Sequence, residues 1–190
     1  MSRRILLPAA VIGAALLTAC AMASDTRSPL QSAANVDLPR FMGAWHVIAR
    51  VDYFGERGDV ASQDVYRLND EGQVDTVYRY RKSFGADDKE KTLGSVGLVQ
   101  PGTNNAFWRI RFFGLLKADY LILETAPDYS WALIGQPSRK LGWVFAREPV
   151  MDDGQYAELQ AKMVAYGYDP TTLLRVAQVP EQVGRPGFHP

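Results

Sequence analysis

The chain contains a series of short segments in which apolar and polar side chains alternate with a period of two. The clearest segment has Trp108, Ile110 and Phe112 on one face and Arg109 and Arg111 on the other. Successive side chains of a β-strand point to opposite faces, so this alternation indicates a strand with one buried face. The predicted strands lie at about residues 43–53, 61–68, 73–81, 91–100, 108–112, 118–125, 129–136 and 141–147. Their even spacing predicts an all-β fold, an eight-stranded antiparallel up-and-down β-barrel.

The first predicted strand opens with Gly43-Ala44-Trp45, and the last one ends at Arg147. Gly43 lets the backbone enter the strand close to its neighbours, because it has no Cβ. Trp45 offers a broad ring that can plug one end of a barrel. A guanidinium group stacks favourably on an indole face, so we assign Trp45 and Arg147 to structure, as partners at a closed end.

A helix is predicted after the last barrel strand, from Asp152 or Asp153 to about Tyr166. Its apolar residues recur at helical spacing, so it should pack against the outside of the barrel. Those residues are Tyr156, Leu159, Met163 and Tyr166. A short strand near 173–178 is expected beside the first strand, and residues 179–190, rich in Pro and Gly, are expected to form a loose tail.

The N-terminus has the pattern of an export signal. Ser2-Arg3-Arg4 precede an apolar stretch of 15 residues, which is shorter than the roughly 20 residues that a membrane-spanning helix needs. The stretch ends in Leu17-Thr18-Ala19-Cys20, which resembles a bacterial lipobox. We therefore predict a lipoprotein signal peptide at 1–19, a lipidated Cys20 opening a flexible tether at 20–36, and the folded domain at 37–178.

The composition excludes some classes of protein. With 47% hydrophobic residues the chain is not disordered, and 21 basic residues against 21 acidic ones give no footprint for nucleic acid. Cys20 is the only cysteine, so no disulfide can form within the chain.

Three short motifs, in order along the chain, resemble the signatures of the lipocalins. They are Gly43-Ala44-Trp45, then Asp128-Tyr129 followed by Ala132, and finally Arg147. The segment 128–139 is especially similar to the bacterial outer-membrane lipocalins and their plant temperature-induced relatives. The resemblance covers residues 38–178. It implies a carrier without a cofactor, anchored in the outer membrane and facing the periplasm, that takes up fatty acids or lysophospholipids. It also implies a possible homodimer.

The predicted inner faces of the barrel mix small, aromatic and hydroxyl side chains. An eight-stranded barrel is large enough to leave room for one small ligand, and pockets for apolar ligands have apolar walls with a few polar groups. The candidate ligand-binding residues are Thr76, Tyr78, Ser95, Gly97, Trp108, Ile110, Phe112, Leu121, Leu123, Ile134 and Trp143. Tyr66, Tyr78 and Tyr129 are candidate hydrogen-bond donors at the rim.

Two other functions are open from the sequence. A barrel filled by its own side chains could serve as a protein-docking or structural module of the cell envelope. An enzyme would need a nucleophile beside a base, or a metal site. The sequence has no G-x-S-x-G, no phosphate loop and no cluster of metal ligands, and we place His46 on the outer face of the first strand and His189 in the tail. We therefore expect neither catalysis nor a bound metal.

Overall fold

Eight antiparallel strands pair in chain order, and the first pairs with the eighth to close a barrel. The structure is a computed structural model that describes residues 28–32 and 34–189. The strands are β1 (Gly43–Val51), β2 (Val60–Leu68), β3 (Val74–Arg81), β4 (Lys91–Val99), β5 (Phe107–Phe112), β6 (Leu116–Thr125), β7 (Trp131–Gly135) and β8 (Gly142–Ala146). The predicted up-and-down barrel is confirmed. The predicted leader, Cys20 and the first part of the tether lie outside the described residues.

A bulge in β1 changes which of its side chains face the interior. The pairing of β1 with β8 runs from Val47↔Phe145 to Ala49↔Val144, which leaves Ile48 as an extra residue. Beyond this bulge the simple alternation predicted for β1 is wrong. Arg50 is only 2% exposed and lies opposite Trp143, inside the barrel.

The helix α2 (Asp153–Ala165) covers part of the outer wall, as predicted. It begins at the Asp152 carboxylate, which accepts a hydrogen bond from the Gln155 amide at 2.9 Å. Leu159 and Met163 pack beneath it against buried residues of the wall. Within the part of the chain that the structure describes, no helix is long and apolar enough to cross a membrane.

Residues 28–32 and 34–36 form what we call the N-terminal strap, which runs down the outside of the barrel. The Leu30 amide donates to the Pro137 carbonyl at 3.0 Å, and the Val36 amide donates to the Asn104 carbonyl at 3.0 Å. Pro137 lies between β7 and β8, whereas Asn104 lies at the opposite end, between β4 and β5. The strap leads into α1 (Leu38–Phe41), which plugs that second end. The last part of the predicted tether is therefore packed on the barrel, with Leu30 and Val36 buried.

The C-terminal residues are also ordered against the barrel. β9 (Leu173–Val176) pairs with the end of β1, and β10 (Phe188–His189) pairs with β9 in parallel. Gln182 is buried, and its side chain accepts a hydrogen bond from the Gln178 amide at 2.7 Å. The expectation of a loose tail is wrong for residues 179–189. Strand pairing and side-chain hydrogen bonds to the barrel order this segment although its sequence is rich in Pro and Gly.

Candidate ligand-binding cavity

One end of the barrel is closed by aromatic rings and held by Arg147. The guanidinium group lies 3.7 Å from the centre of the Trp45 ring, as expected. It donates to the carbonyls of Arg40 at 2.8 Å, Met42 at 2.9 Å and Ala44 at 2.7 Å. Gly43 has a φ of +96°, a conformation that glycine adopts readily, and an added Cβ would lie 3.3 Å from the Arg147 Nη1. The first and third motifs thus form one locked unit.

The second motif belongs to the same closed end. The Tyr129 hydroxyl accepts a hydrogen bond from the Asp37 amide at 2.8 Å, and the Arg40 guanidinium stacks 4.4 Å from the Tyr129 ring. Asp128 accepts from the Ser130 amide at 3.0 Å, and hydrogen bonding to Ser130 lowers the pKa of Asp128. The prediction that Tyr129 is a donor at the rim is wrong, because this end is the sealed one.

The other end opens into a cavity of about 290 Å³. This volume is near the lower end of the roughly 300–1,000 Å³ typical of ligand pockets. Six of the predicted residues line it: Thr76, Tyr78, Ser95, Ile110, Phe112 and Trp143. The barrel is therefore a cup with an internal space.

Five predicted residues do not line the cavity. Trp108 and Ile134 are fully buried in the packed interior, and a Cβ on Gly97 would lie 3.2 Å from the Trp108 ring. The inward orientation predicted for Leu121 and Leu123 is wrong, because both pack with Leu159 and Met163 beneath α2. On β6 it is Tyr120 and Ile122 that belong to the interior core.

Much of the cavity lining, including most of its polar residues, was not predicted from the sequence. The first loop contributes Tyr53, Gly55 and Glu56, and the strands and other loops contribute Asp64, Leu93, Ala118, Asp119, Tyr120, Gln136 and Leu141. The one signal for Asp64 is that it lies two residues before Tyr66, and thus on the same face of β2.

Glu56 folds back from the first loop and lies buried beside the mouth of the cavity. Its carboxylate accepts hydrogen bonds from the Tyr53 hydroxyl at 2.6 Å and from Trp143 Nε1 at 3.1 Å. The Arg50 guanidinium lies 3.8 Å from the same carboxylate. Burial nevertheless raises the pKa of Glu56, because the charged form loses its hydration. Trp143 is thereby fixed in the wall.

Tyr78 is held at the mouth in a similar way. Its hydroxyl donates to Asp59 Oδ2 at 2.9 Å, and Lys82 pairs with the other oxygen of that buried carboxylate. The tyrosine therefore presents its ring to the cavity while its hydroxyl is already occupied.

The floor of the cavity holds a chain of hydrogen bonds that ends on a carboxylate. The Tyr66 and Tyr120 hydroxyls are 2.8 Å apart, and the Tyr66 hydroxyl donates to Asp64 Oδ2 at 2.9 Å. Because Tyr66 gives its only proton to Asp64, Tyr120 donates to Tyr66. Burial, together with the charge of Glu56, raises the pKa of Asp64 to about 7.

The cavity combines apolar walls with a few polar groups at its floor and mouth. His46 lies outside the cavity, with its Nδ1 3.3 Å from Gln178 Oε1, and His189 lies in β10. Within residues 28–32 and 34–189 the structure contains no group of three or more His, Cys, Asp or Glu side chains that could hold a metal ion. An open cup of this kind can enclose a small hydrophobic molecule.

The fold and the cavity agree with the family to which the sequence belongs. Residues 36–178 match the lipocalin-like domain family, so this chain is a member of it. The class is that of barrel proteins that bind small hydrophobic ligands and are generally carriers rather than enzymes.

Individual relatives narrow the comparison. The outer membrane lipoprotein Blc of Citrobacter freundii is 28% identical over 173 residues, which cover 90% of this chain and 94% of that protein. Temperature-induced lipocalin-1 of Arabidopsis thaliana is 29% identical over 151 residues, covering 75% of this chain and 80% of that protein. The structure of insecticyanin from the tobacco hornworm Manduca sexta superposes with a TM-score of 0.58 at 17% identity, over 78% of this chain and 82% of that one.

Proposed function

We propose that this protein is a lipid-anchored carrier of the bacterial envelope that takes fatty acids or lysophospholipids into its barrel. The open-ended cavity is the observation on which the proposal depends. The lipobox-like sequence before Cys20 supports attachment through an acylated cysteine. A relative named as an outer membrane lipoprotein, aligned over 90% of the chain, supports a location in the outer membrane. That the barrel faces the periplasm is part of the proposal.

The size of the cavity fits reversible carriage. One water molecule occupies roughly 30 Å³ in the liquid, so the cavity holds about ten groups of that size. Burying about ten methylenes contributes roughly 8 kcal/mol before the association cost of some 4 to 15 kcal/mol is subtracted. The affinity for one tail is therefore modest. Lipids shed or damaged in the envelope would enter tail first and leave again, while the anchor keeps the carrier near their source.

The alternative, a filled barrel used for docking, requires a packed interior. A cavity of about 290 Å³ argues against it. A homodimer, which the family resemblance suggested, stays part of the proposal and is measured by the experiment below.

Native mass spectrometry of the protein purified from its own membrane tests the proposal. We expect the mass of the protein plus one single-chain lipid, and the same spectrum reports whether the protein is a dimer. Ala118→Trp, which places an indole in the cavity, should abolish the adduct. Arg109→Trp, on the exposed outer face of the neighbouring strand, should keep it. Wild-type protein that carries no lipid and takes up no added lysophospholipid would contradict the proposal.

A further inference from the structure

The floor of the cavity contains polar atoms that an alkyl tail does not use. Asp64 Oδ2 accepts from Tyr66, but no described residue donates to Asp64 Oδ1. Asp64 lines the cavity and is only partly buried, so a carboxylate oxygen there without a protein donor fits a ligand that supplies one.

The described lining of the cavity contains no basic residue. Of its lining residues only Glu56, Asp64 and Asp119 are charged, and all three are acidic. Asp119 is half exposed and lies 3.8 Å from Arg109 on the outside. Glu56 has Arg50 beside it. Among the described residues, no cation lies within 4 Å of the Asp64 carboxylate.

We propose that the cavity binds a second class of ligand, small organic amines with an apolar body, whose ammonium group hydrogen-bonds to Asp64 at the floor. The inference rests on the proposed function only in that the cavity must admit a ligand. An ammonium group has three donors, one of which can serve Asp64 Oδ1. Hydrogen bonds between ionised partners are roughly twice as strong as neutral ones. The rings of Tyr78, Phe112 and Trp143 in the wall offer further surfaces for a cation.

The same floor disfavours a free carboxylate. A fatty acid that enters with its carboxylate first brings a second negative charge towards Asp64. One that enters with its methyl end first, as in the proposed function, keeps its carboxylate at the mouth and away from Asp64. The raised pKa of Asp64 agrees with this picture, because a buried carboxylate without a cationic partner holds its proton to higher pH.

Binding of an amine should therefore strengthen as the pH rises from 5 to 8. The titratable groups around Asp64 are Tyr53 and Glu56 from the first loop, Tyr66 from β2, Tyr78 opposite it on β3 and Tyr120 from β6. Burial raises the pKa of all four tyrosines, so they stay neutral over this range. The pKa of Glu56 is also raised, and Glu56→Gln separates its contribution from that of Asp64.

Three probes of one chain length test the inference: octylamine, 1-octanol and octanoate, titrated by calorimetry into the full exported chain bearing Cys20→Ser. In the wild-type cavity we expect octylamine to bind about tenfold or more tightly than octanol, and octanoate to bind more weakly than octanol. Asp64→Asn should bring octylamine to the level of octanol, because its amide oxygen still accepts from Tyr66 but has no charge. The control is Asp75→Asn. It removes a carboxylate that pairs with Arg67 outside the cavity, so the affinities for all three probes should stay the same.

Two results would overturn the inference: octylamine no tighter than octanol in the wild type, or an advantage for octylamine that survives Asp64→Asn. A lysophospholipid titrated in parallel separates this inference from the proposed function. If the lysophospholipid binds and octylamine has no advantage, only the inference fails. If neither binds, the proposed function fails with it.

A different feature, at the open end, leads to a second inference. Three large apolar side chains are exposed at the tips of two loops beside the mouth. Phe54, between β1 and β2, is 90% exposed, and Phe113 and Leu115, between β5 and β6, are 77% and 86% exposed. Exposed apolar side chains gathered at one end of a protein mark a surface that meets a partner.

The start of the N-terminal strap lies at the same end. The Ser28 carbonyl accepts a hydrogen bond at 3.0 Å from Arg139, in the loop between β7 and β8. Seven residues separate Cys20 from Ser28. Fully extended, that link spans at most about 28 Å, so an anchor on Cys20 stays close to the mouth.

We infer that the mouth faces the lipid surface in which Cys20 is anchored, and that Phe54, Phe113 and Leu115 enter that surface. The anchor itself is part of the proposed function. In this orientation a lipid passes between membrane and cavity without crossing open water, which lowers the barrier to exchange.

Vesicles of phosphatidylethanolamine and phosphatidylglycerol test the orientation with the unanchored Cys20→Ser protein. Replacing Phe54, Phe113 and Leu115 together by Ser should lower co-sedimentation with vesicles about tenfold or more. Equal binding by both proteins, or no binding by either, would refute a role for these three side chains.

The matched control replaces three exposed apolar residues away from the mouth loops, Val150, Val164 and Val183, by Ser. It should bind vesicles like the parent. The intact mass of the natural mature protein reports the anchor separately. A mass without acyl chains removes the proposed anchor, and with it the inferred orientation, whereas the vesicle measurement tests the loop tips.

Discussion

Arg147→Ala should destabilise the barrel strongly while leaving ligand affinity unchanged. The side chain lies over Trp45 at 3.7 Å and bonds to the carbonyls of residues 40, 42 and 44 at the closed end. The stacking contributes about 0.5 to 2 kcal/mol. Each hydrogen bond from a charged group contributes about 1.5 to 3 kcal/mol, reduced here because water reaches part of the guanidinium. A total loss of about 2 to 4 kcal/mol corresponds to a fall in Tm of about 5 to 15 °C.

Thermal unfolding followed by circular dichroism measures the stability, and titration with a lysophospholipid measures the Kd. Arg147→Lys keeps the charge but loses the planar fork of donors, so its Tm should lie between those of the wild type and Arg147→Ala. Arg67→Ala is the control, because Arg67 is exposed and its pair with Asp75 contributes no more than about 1 kcal/mol. An unchanged Tm combined with lost binding would refute the structural role that we assign to Arg147.

Three further outcomes are expected. Leu123→Ala should lower the free energy of unfolding in urea by about 2 to 5 kcal/mol with the Kd unchanged, and a weakened Kd would show that Leu123 faces the cavity. The pKa of Asp64 is about 7 in the fold. In the unfolded chain its pKa is about 4, so the folded protein binds the proton more tightly. The free energy of unfolding should therefore fall by up to about 4 kcal/mol as the pH rises from 4 to 7. Asp64→Asn should remove most of that fall, and urea unfolding at pH 5 and 8 measures it. Cys20→Ser should release a soluble protein that still binds lipid, as fractionation and titration would show; loss of binding would mean that the pocket depends on the anchor.

The barrel was predictable because its signals are local and repeated. Polar and apolar residues alternate cleanly in β5, where Arg109 and Arg111 face solvent. The closed end is also recognisable from residue types. Trp45 supplies the ring, Gly43 adopts the positive φ, and Arg147 supplies the donors. The strand pattern is set by sheet geometry, so it survives small errors in where each strand ends.

The orientation of β6 was not predictable, because both of its faces are apolar. Tyr120, Leu121, Ile122 and Leu123 form an unbroken apolar run, with one face towards the interior and the other beneath α2. When both faces of a strand are buried, its residues do not alternate between apolar and polar. The sequence then does not show which side chains face the interior. The bulge between Ile122 and Glu124 shifts the register further.

The polar part of the site was hidden for a different reason. Asp64 and Glu56 are single acidic residues in stretches that look solvated, and their burial results from the loop that folds back over Trp143. That loop position depends on Arg50, which only the bulge in β1 turns inward. Such contacts join residues through tertiary structure and leave no periodic signal in the chain.

With the proposed anchor on Cys20, the N-terminal strap determines what a protease would release from the membrane. Residues 21–27 join Cys20 to the strap, so a cut among them would release the barrel with its strap in place. A cut between Leu30 and Val36 would instead free a segment that covers the outer wall, where Leu30 packs with Leu121 and Leu123. The released protein would then lose the packing of Leu30 and unfold more readily. The site of cleavage would therefore determine whether the product is a stable soluble barrel or a less stable chain.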